Sequence, residues 1–238
     1  MTDPLLIWSY LESGPLLWLT ATLVAYWIGD RIFRLSHGKP WFNPVLLSVI
    51  ALGALLLATG TPYETYFEGA QFVHFMLGPA TVSLALPLHA NLRRVRKAAL
   101  PMALALLAGS LTAVVSALGL AWMLGADFGL LASLAPKSAT APVAIGISEK
   151  LGGDPSMTAV LVLLTGMIGA IAVTPMLNAL GLRDWRGRGF ATGVAAHGVG
   201  TARALQVHPT AGAFAGIGMG MNAVLTGLIA PLVLQLFR

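Results

Sequence analysis

Lysine, serine and threonine lie together between two prolines in the stretch APKSATAPVAIGISEK. Pro136 and Pro142 each interrupt a regular helix, because proline lacks the backbone N–H and its ring clashes with the preceding turn. Lys137 places a positive charge between these breaks, and Ser138 and Thr140 add hydroxyl donors. Donors of these types beside the exposed start of a helix predict a binding site for a small anion.

A second group of polar residues follows in the stretch HGVGTAR. Gly198 and Gly200 weaken a helix at this point, and Thr201 is a favourable first residue for the helix that continues after them. Arg203 offers the planar fork that binds a carboxylate through two hydrogen bonds. His197 titrates near neutral pH and is predicted to carry a coupling proton.

We predict that the two groups approach one cavity, where Lys137 and Arg203 share a carboxylate. The full set of predicted substrate ligands is Lys137, Ser138, Thr140, Thr201, Arg203, Asn222 and Thr81. Proton coupling is predicted for His197 and Glu149, and helix breaks are predicted at Pro79, Pro136, Pro142, Gly198 and Gly200. We predict no catalytic residue, metal site or cofactor, and the chain is not expected to be an enzyme. Ser138, His197 and Glu149 resemble a hydrolytic triad in type, but no GxSxG-type elbow accompanies them.

The composition places these residues in a membrane protein. Hydrophobic residues make up 57% of the 238 residues and charged residues only 10%, whereas soluble domains carry about 25% charged residues. The net charge of +5 does not point to nucleic acid, because the cations lie in short connections between hydrophobic stretches. The apolar stretches predict seven membrane spans, at about 14–33, 43–60, 68–90, 98–124, 157–181, 189–206 and 211–237.

The charges predict how these spans cross the membrane. Basic residues cluster at 31–39, 93–97 and 183–188 and at Arg238, and the positive-inside rule places all of them in the cytoplasm. An odd number of crossings must then separate Asp127, outside, from Arg183, inside. Residues 128–151 are too few for two crossings. We therefore predict a re-entrant hairpin with limbs 128–135 and 142–151 and its tip at Pro136–Ala141.

Similar segments recur in the same order in both halves of the chain. TAVVSALGLAWML matches NAVLTGLIAPLVL, GPATVSLALPLH matches GVGTARALQVH, and two long apolar runs both end in Thr-Pro. We predict one all-α polytopic membrane domain over 1–238, built from inverted repeats of about 14–124 and 128–237. Inverted repeats with broken helices at the membrane midplane are typical of transporters.

Four segments carry a resemblance to a known family. GPATVSLALPL, APKSATAPVAIGISEKLGG, GVAAHGVGTARAL and GAFAGIGMGMNAVLT resemble the LrgB/CidB family, and the likeness covers about 200 residues. The resemblance implies a bacterial antiholin-like protein that regulates murein-hydrolase export. It also implies kinship with the plant plastid glycolate/glycerate translocator, in which an LrgA-like half precedes an LrgB-like half. Ala139 stands where the family has a second hydroxyl.

Two functions follow as expectations. The first is a carrier of small monocarboxylates of the glycolate, lactate or pyruvate class, in the bacterial cytoplasmic membrane. The alternative is a holin- or antiholin-like protein that modulates murein hydrolases and autolysis. The expected partners are a small organic anion, an LrgA/CidA-like membrane protein and further copies of the chain, but not nucleic acid. Ser133→Ala, on the outer limb of the hairpin, is expected to be nearly silent.

Overall fold

The computed structural model describes residues 14–76, 79 and 96–237, and within these ranges the chain is helical and contains no strand. The helices are α1 Pro15–Leu35, α2 Pro44–Thr59, α3 Tyr63–Phe75, α4 Ala99–Met123, α5 Phe128–Leu134, α6 Ala141–Leu151, α7 Pro155–Ala179, α8 Trp185–Val207 and α9 Pro209–Leu234. The chain divides into two compact units, Met1–Ser83 and Leu84–Arg238. The first unit contains α1 to α3, and the second contains α4 to α9.

In the first unit, α1 packs against both α2 and α3. Trp18 of α1 is completely buried, and its ring meets that of Tyr66 of α3 edge to face at 5.9 Å. The side chain of Asn43 caps α2 by accepting a hydrogen bond of 2.9 Å from the Val45 N–H. The helix ends at Gly60, where a φ of +67° stops it.

By length and composition, four helices of the described residues can cross a membrane. They are Pro15–Leu35, Ala99–Met123, Pro155–Ala179 and Pro209–Phe237. Each of them overlaps a predicted span. The predicted span 43–60 forms a shorter apolar helix, and most of the predicted span 68–90 lies outside the described residues. The predicted span 189–206 is different, because its helix is interrupted.

In the second unit, α4 and α9 run in the same direction and α7 runs against them. Leu118 and Leu234, near the ends of α4 and α9, share one buried cluster, and Met102 and Phe214, near their beginnings, share another. Leu177, near the end of α7, lines a small cavity with residues at the start of α9. We call the two ends of this bundle the Asp127 end, where α4 stops and α5 starts, and the Asp184 end, where α7 stops and α8 starts.

Residues 128–151 form a helical hairpin, which we call hairpin one. Its first limb starts at Asp127, whose carboxylate accepts the Leu130 N–H at 2.7 Å. Helical turns continue beyond Leu134, so the chain reverses at Ala139 and Thr140, near the end of the predicted tip. Thr140 is the N-cap of α6, as its residue type predicts, but its side chain makes no capping hydrogen bond.

The two limbs of hairpin one are fastened to the start of α7 by buried hydroxyls. Ser133 of the first limb accepts the Asp154 N–H at 2.8 Å, and the Thr158 hydroxyl lies 2.7 Å from that of Ser148 on the second limb. Ser133 is 1% exposed. Ser133→Ala would remove the acceptor of the Asp154 N–H, a contact that weighs against the expectation of a nearly silent substitution, which stays a prediction.

Residues 185–207 form a second hairpin, hairpin two, rather than one continuous span. Ala196 and His197 have non-helical backbone angles, and φ of His197 is +39°. A straight helix of this length would separate its ends by about 33 Å. Instead, the rings of Trp185 and His208 stack with their centroids 4.9 Å apart. The limbs 185–195 and 198–207 therefore lie side by side, and both ends of hairpin two are at the Asp184 end.

Two predicted features of this segment need correction. The structure places the break at Ala196 and His197, directly before Gly198, and not within Gly198–Thr201. Hairpin two also returns the chain to the Asp184 end, whereas the sequence predicts that residues 189–206 cross the membrane. The turn is held where it is by contacts with α7, because the His197 ring fits against Gly166 and its Nε2 lies 2.9 Å from the Val162 carbonyl oxygen. The first limb is placed by close packing on α9. A methyl group on Gly189 or Gly193 would collide with the backbone carbonyl of Ala211 or Ala215, so the first limb is held directly against α9.

Candidate functional site

The tip of hairpin one carries the lysine that the sequence singles out. Lys137 is half-buried, while Pro136, Ser138 and Ala139 around it are buried. The Lys137 Nζ lies 3.4 Å from the Ser138 Oγ, which is a weak contact. No acidic side chain lies within ion-pair distance of Lys137 among the described residues. Its charge is thus available to an anion.

Asn222 fastens this tip to the surrounding helices. Its Nδ2 donates to the Ser138 carbonyl at 2.9 Å, and its Oδ1 accepts from the Ser110 hydroxyl of α4 at 2.5 Å. Asn222 is 0% exposed, and a buried amide at this depth requires such partners. The structure therefore brings Asn222 to the tip that contains Lys137. It also adds Ser110, which the sequence did not distinguish from the other hydroxyls of α4.

His197 occupies the tip of hairpin two. Its Nε2 lies 2.9 Å from the Val162 carbonyl oxygen of α7, and a carbonyl only accepts, so this nitrogen carries the hydrogen. A further proton would therefore bind at Nδ1. Gly166 of α7 makes room for the ring, because a methyl group there would lie 2.6 Å from the His197 Cε1.

The tips of the two hairpins meet on α7. Val162 packs against Ala139 and Ala144 of hairpin one, while its carbonyl accepts the hydrogen bond from His197 of hairpin two. Lys137 stands two residues before Ala139, so it belongs to the tip that shares this contact with His197. Two interrupted helical segments therefore meet on α7, one carrying Lys137 and the other His197, and a binding site between them stays a prediction.

Arg203 lies elsewhere on hairpin two. It is 8% exposed and lines a cavity of about 20 Å³ together with Trp185, Arg188 and Thr192, towards the Asp184 end. Lys137 is not among the residues that line this cavity. The sharing of one carboxylate by Lys137 and Arg203 therefore stays a prediction that this conformation does not display.

The other predicted site residues are divided between the tips and the ends of the hairpins. Thr201 is buried, and its hydroxyl donates to the His197 carbonyl at 2.8 Å. Glu149 is exposed in the last turn of α6, away from His197. Thr81 lies outside the described residues, as do both neighbours of Pro79, so their predicted roles stay predictions.

Charged residues gather at the Asp184 end. Asp184 caps α8 by accepting the Arg186 N–H at 2.9 Å and pairs with the Arg186 side chain at 2.8 Å. The side-chain and backbone hydrogen bonds from Arg186 hold the pKa of Asp184 below its usual value. Arg188 donates to the Leu182 carbonyl and lies over the Trp185 ring. These contacts order the start of hairpin two.

The donors at the two tips suit a small anion. Within the described ranges, no three His, Cys, Asp or Glu side chains are grouped as metal ligands would be. Lys137, the Ser138 hydroxyl and the first turn of α6 instead provide a positive charge, a donor and the positive end of a helix dipole. Such a set can bind and release a carboxylate, but it contains no activated nucleophile.

Comparison with known proteins gives consistent results over nearly the whole chain. The model of the LrgB-like family matches residues 22–236. An uncharacterized protein, YxaC, of Bacillus subtilis is 38% identical over 217 residues, which cover 91% of this chain and 94% of that protein. The holin-like protein CidB of Staphylococcus epidermidis is 31% identical over 229 residues, covering 96% and 99%. The CidB protein of Staphylococcus aureus is 30% identical over 226 residues, covering 93% and 96%. No solved structure matches the chain.

Proposed function

The chain belongs to the LrgB-like family of membrane proteins, and from this premise we propose that it transports small monocarboxylates of the glycolate, lactate or pyruvate class by alternating access. One observation carries the proposal. Two interrupted helical hairpins start from opposite ends of the second unit, and their tips meet on α7 beside Lys137 and His197. Broken helices that meet beside a charge are a recurring architecture of anion transporters, and a nonspecific pore does not require them.

In the membrane, hairpin one and hairpin two would be re-entrant and would enter from opposite faces. The Asp184 end would face the cytoplasm, because Arg96, Lys97, Arg183 and Arg186 lie there. The tips of both hairpins would then lie near the midplane of a bacterial cytoplasmic membrane. In this arrangement α4 and α9, which contain the matched segments TAVVSALGLAWML and NAVLTGLIAPLVL, run in the same direction. The inverted relation predicted for the repeats over 14–124 and 128–237 is therefore not kept in this proposal.

The first prediction concerns sidedness, and it revises the expectation that Arg238 is cytoplasmic. Because hairpin two returns to its starting end, Leu236 should lie on the same side as Leu124, at the Asp127 end. The chain has no cysteine, so single cysteines can be introduced without other changes. In intact cells, Leu124→Cys and Leu236→Cys should react with an impermeant maleimide, and Lys97→Cys should react only after permeabilisation. Labelling of Leu236→Cys from the cytoplasm would mean that residues 185–207 cross the membrane.

The substrate carboxylate would bind at the tip of hairpin one. Lys137 supplies the charge there, the Ser138 hydroxyl supplies a donor, and the first turn of α6 adds the positive end of its dipole. Asn222 supports this tip from α9 and would hold the Ser138 backbone in place. Arg203, Thr201 and Thr81 remain proposed ligands for another state of the transport cycle.

A second prediction concerns proton coupling through His197. Because its Nε2–H is engaged with Val162, a proton gained at Nδ1 would place a second positive charge next to Lys137 and would favour a bound carboxylate. His197→Asn keeps a residue type that tolerates positive φ but removes the titrating ring. Uptake by this variant should no longer be stimulated by an inward proton gradient. If the stimulation is unchanged, another group carries the proton, and Glu149→Gln should be measured next.

The proposal is tested by reconstitution. Proteoliposomes that contain the purified chain should take up labelled glycolate, lactate or pyruvate saturably, and unlabelled substrate should compete. The measurement should be made with and without a pH gradient, and with empty liposomes as the baseline. If folded, inserted protein takes up none of the three carboxylates saturably, the chain is not a carrier that works alone. The same measurement with an LrgA/CidA-like partner present would then test a two-chain carrier.

A second candidate function rests on the names of the relatives, since two of them are called holin-like proteins. A holin- or antiholin-like chain would modulate murein hydrolases by altering membrane permeability, through self-association or with an LrgA/CidA-like partner. The two functions differ in what crosses the membrane. A pore should release a trapped dye from liposomes without saturation, whereas a carrier should retain the dye and still exchange carboxylates.

A further inference from the structure

A groove runs along the second unit between α4 and the first limb of hairpin two. It has a volume of about 550 Å³. Its walls are built largely from small residues at helical spacing, which leave space where larger side chains would fill it. These residues are Ala98, Pro101, Ala105, Gly109 and Ala113 on α4 and Gly187, Ala191 and Ala195 on α8. Ala105, Ala191 and Ala195 are exposed, so the groove opens to the side of the helices.

The dimensions of the groove match one hydrocarbon chain. Between Ala98 and Ala113, α4 rises by about 22 Å, which is about three quarters of the roughly 30 Å hydrocarbon core of a bilayer. A helix with side chains is about 10–12 Å across, so one of this length would occupy more than about 1,500 Å³, well above the groove volume of about 550 Å³. A single acyl chain of one leaflet is narrow enough and of suitable length.

One end of the groove is basic on both walls. Arg96 and Lys97 directly precede Ala98 on the α4 side. On the other side, Asp184 and Arg186 line both the groove and an adjoining cavity of about 360 Å³, which Arg183 also lines. Four basic residues and one acid therefore leave this end with a positive balance. The opposite end of the groove, at Ala113 and Ala195, has no charge.

We propose that this groove binds one anionic phospholipid, with an acyl chain between α4 and hairpin two and the phosphate among the basic residues of the Asp184 end. A basic cluster at the cytoplasmic surface attracts anionic headgroups, and the apolar walls exclude a free carboxylate as the main occupant. The inference requires that the chain is a membrane protein. It does not depend on the transport proposal, so either can fail while the other stands.

Native mass spectrometry of the detergent-solubilised full chain tests this inference. Titration with dioleoyl phosphatidylglycerol should give a one-to-one adduct that survives activation, while dioleoyl phosphatidylcholine should bind more weakly. The double variant Arg183→Gln, Arg186→Gln should bind phosphatidylglycerol roughly 30-fold more weakly. Asp184→Asn should bind it about fivefold more tightly, because asparagine still caps α8 but adds no negative charge.

The apolar part of the site has its own variant and matched control. Ala105→Phe fills the groove and should abolish the one-to-one adduct. Ala108→Phe makes the same change at an exposed position of α4 that does not line the groove, and should leave the adduct intact. Glycerol 3-phosphate at millimolar concentration should not displace the lipid. Equal retention of both lipids by all variants, or displacement by glycerol 3-phosphate alone, would overturn the proposal.

Discussion

Lys137→Met should weaken carboxylate uptake by roughly one to two decades in apparent affinity, because loss of a charge-assisted hydrogen bond costs about 1.5–3 kcal/mol. Lys137 is half-buried at the tip of hairpin one, and its recorded contact with Ser138, at 3.4 Å, is long. Among the described residues Lys137 has no acidic partner within ion-pair distance, and an unpaired lysine inside a membrane is costly, which makes Lys137 a candidate functional residue. Methionine keeps the unbranched, apolar stem and removes only the charge, so the folded protein should remain.

The matched control is Lys150→Met. Lys150 belongs to the same hairpin, but it is exposed in the last turn of α6, more than two turns from the tip. Uptake by this variant should equal that of the wild type. Initial rates over a range of substrate concentrations, with inserted protein quantified for each variant, provide the comparison. Equal uptake by the Lys137→Met and Lys150→Met variants would remove the anion site from hairpin one.

Arg203→Met separates two versions of the site. If Arg203 binds the same carboxylate in another conformation, this variant should lose affinity as Lys137→Met does, and Arg203→Lys should stay impaired, because an ammonium group cannot reproduce the guanidinium fork. If Arg203 only orders the Asp184 end near Trp185 and Arg188, thermal stability should fall while the apparent affinity stays normal.

The second large effect is expected at the contact between hairpin two and α9. Gly193→Ala should destabilise the protein by about 1–3 kcal/mol, the usual cost of overpacking. The added methyl group would collide with the carbonyl oxygen of Ala215, and a helix backbone cannot rotate away as a flexible side chain can. Lower thermal stability and a loss of monodisperse protein in size-exclusion chromatography would report this effect.

Gly187→Ala in the same helix is expected to have the opposite effect on stability. A methyl group on Gly187 would meet no atom within 4 Å, and alanine is about 0.5–1 kcal/mol better than glycine inside a helix. This variant should be as stable as the wild type or slightly more stable. If Gly193→Ala also gains stability, the helices are farther apart than the structure places them.

The break in hairpin one was predictable because its causes are local. Thr140 takes the N-cap position that its residue type favours, and Pro142 suits the first turn of the new helix. Pro136 does not mark the break itself, because helical turns continue past it to Ala139. The break in hairpin two was misplaced for the opposite reason. His197 adopts a positive φ and its ring lies against Gly166 of α7. This contact with a separate helix cannot be recognised from the residues around His197 in the sequence. Gly198 and Gly200, where the break was predicted, remain helical.

The long-range contacts of the candidate site were only partly predictable. Asn222 was recognisable as a polar residue in an apolar run, but its partner Ser110 stands 112 residues earlier, among other serines and threonines of similar appearance. The pairing of Lys137 with Arg203 was inferred from charge alone. The fold instead brings the turn at His197 to the tip that carries Lys137, because both tips contact Val162 of α7.

The backbone contact of Gly189 and Gly193 with α9 has a mechanical consequence. Because these two helices contact each other through their main chains, they cannot slide past each other by a small distance, and hairpin two and the first half of α9 should behave as one rigid body. The tip of hairpin one is attached to α9 through the hydrogen bond between Asn222 and Ser138, which is far easier to break and remake. In a transport cycle, hairpin one is therefore expected to move and open the site, while hairpin two and α9 stay in place.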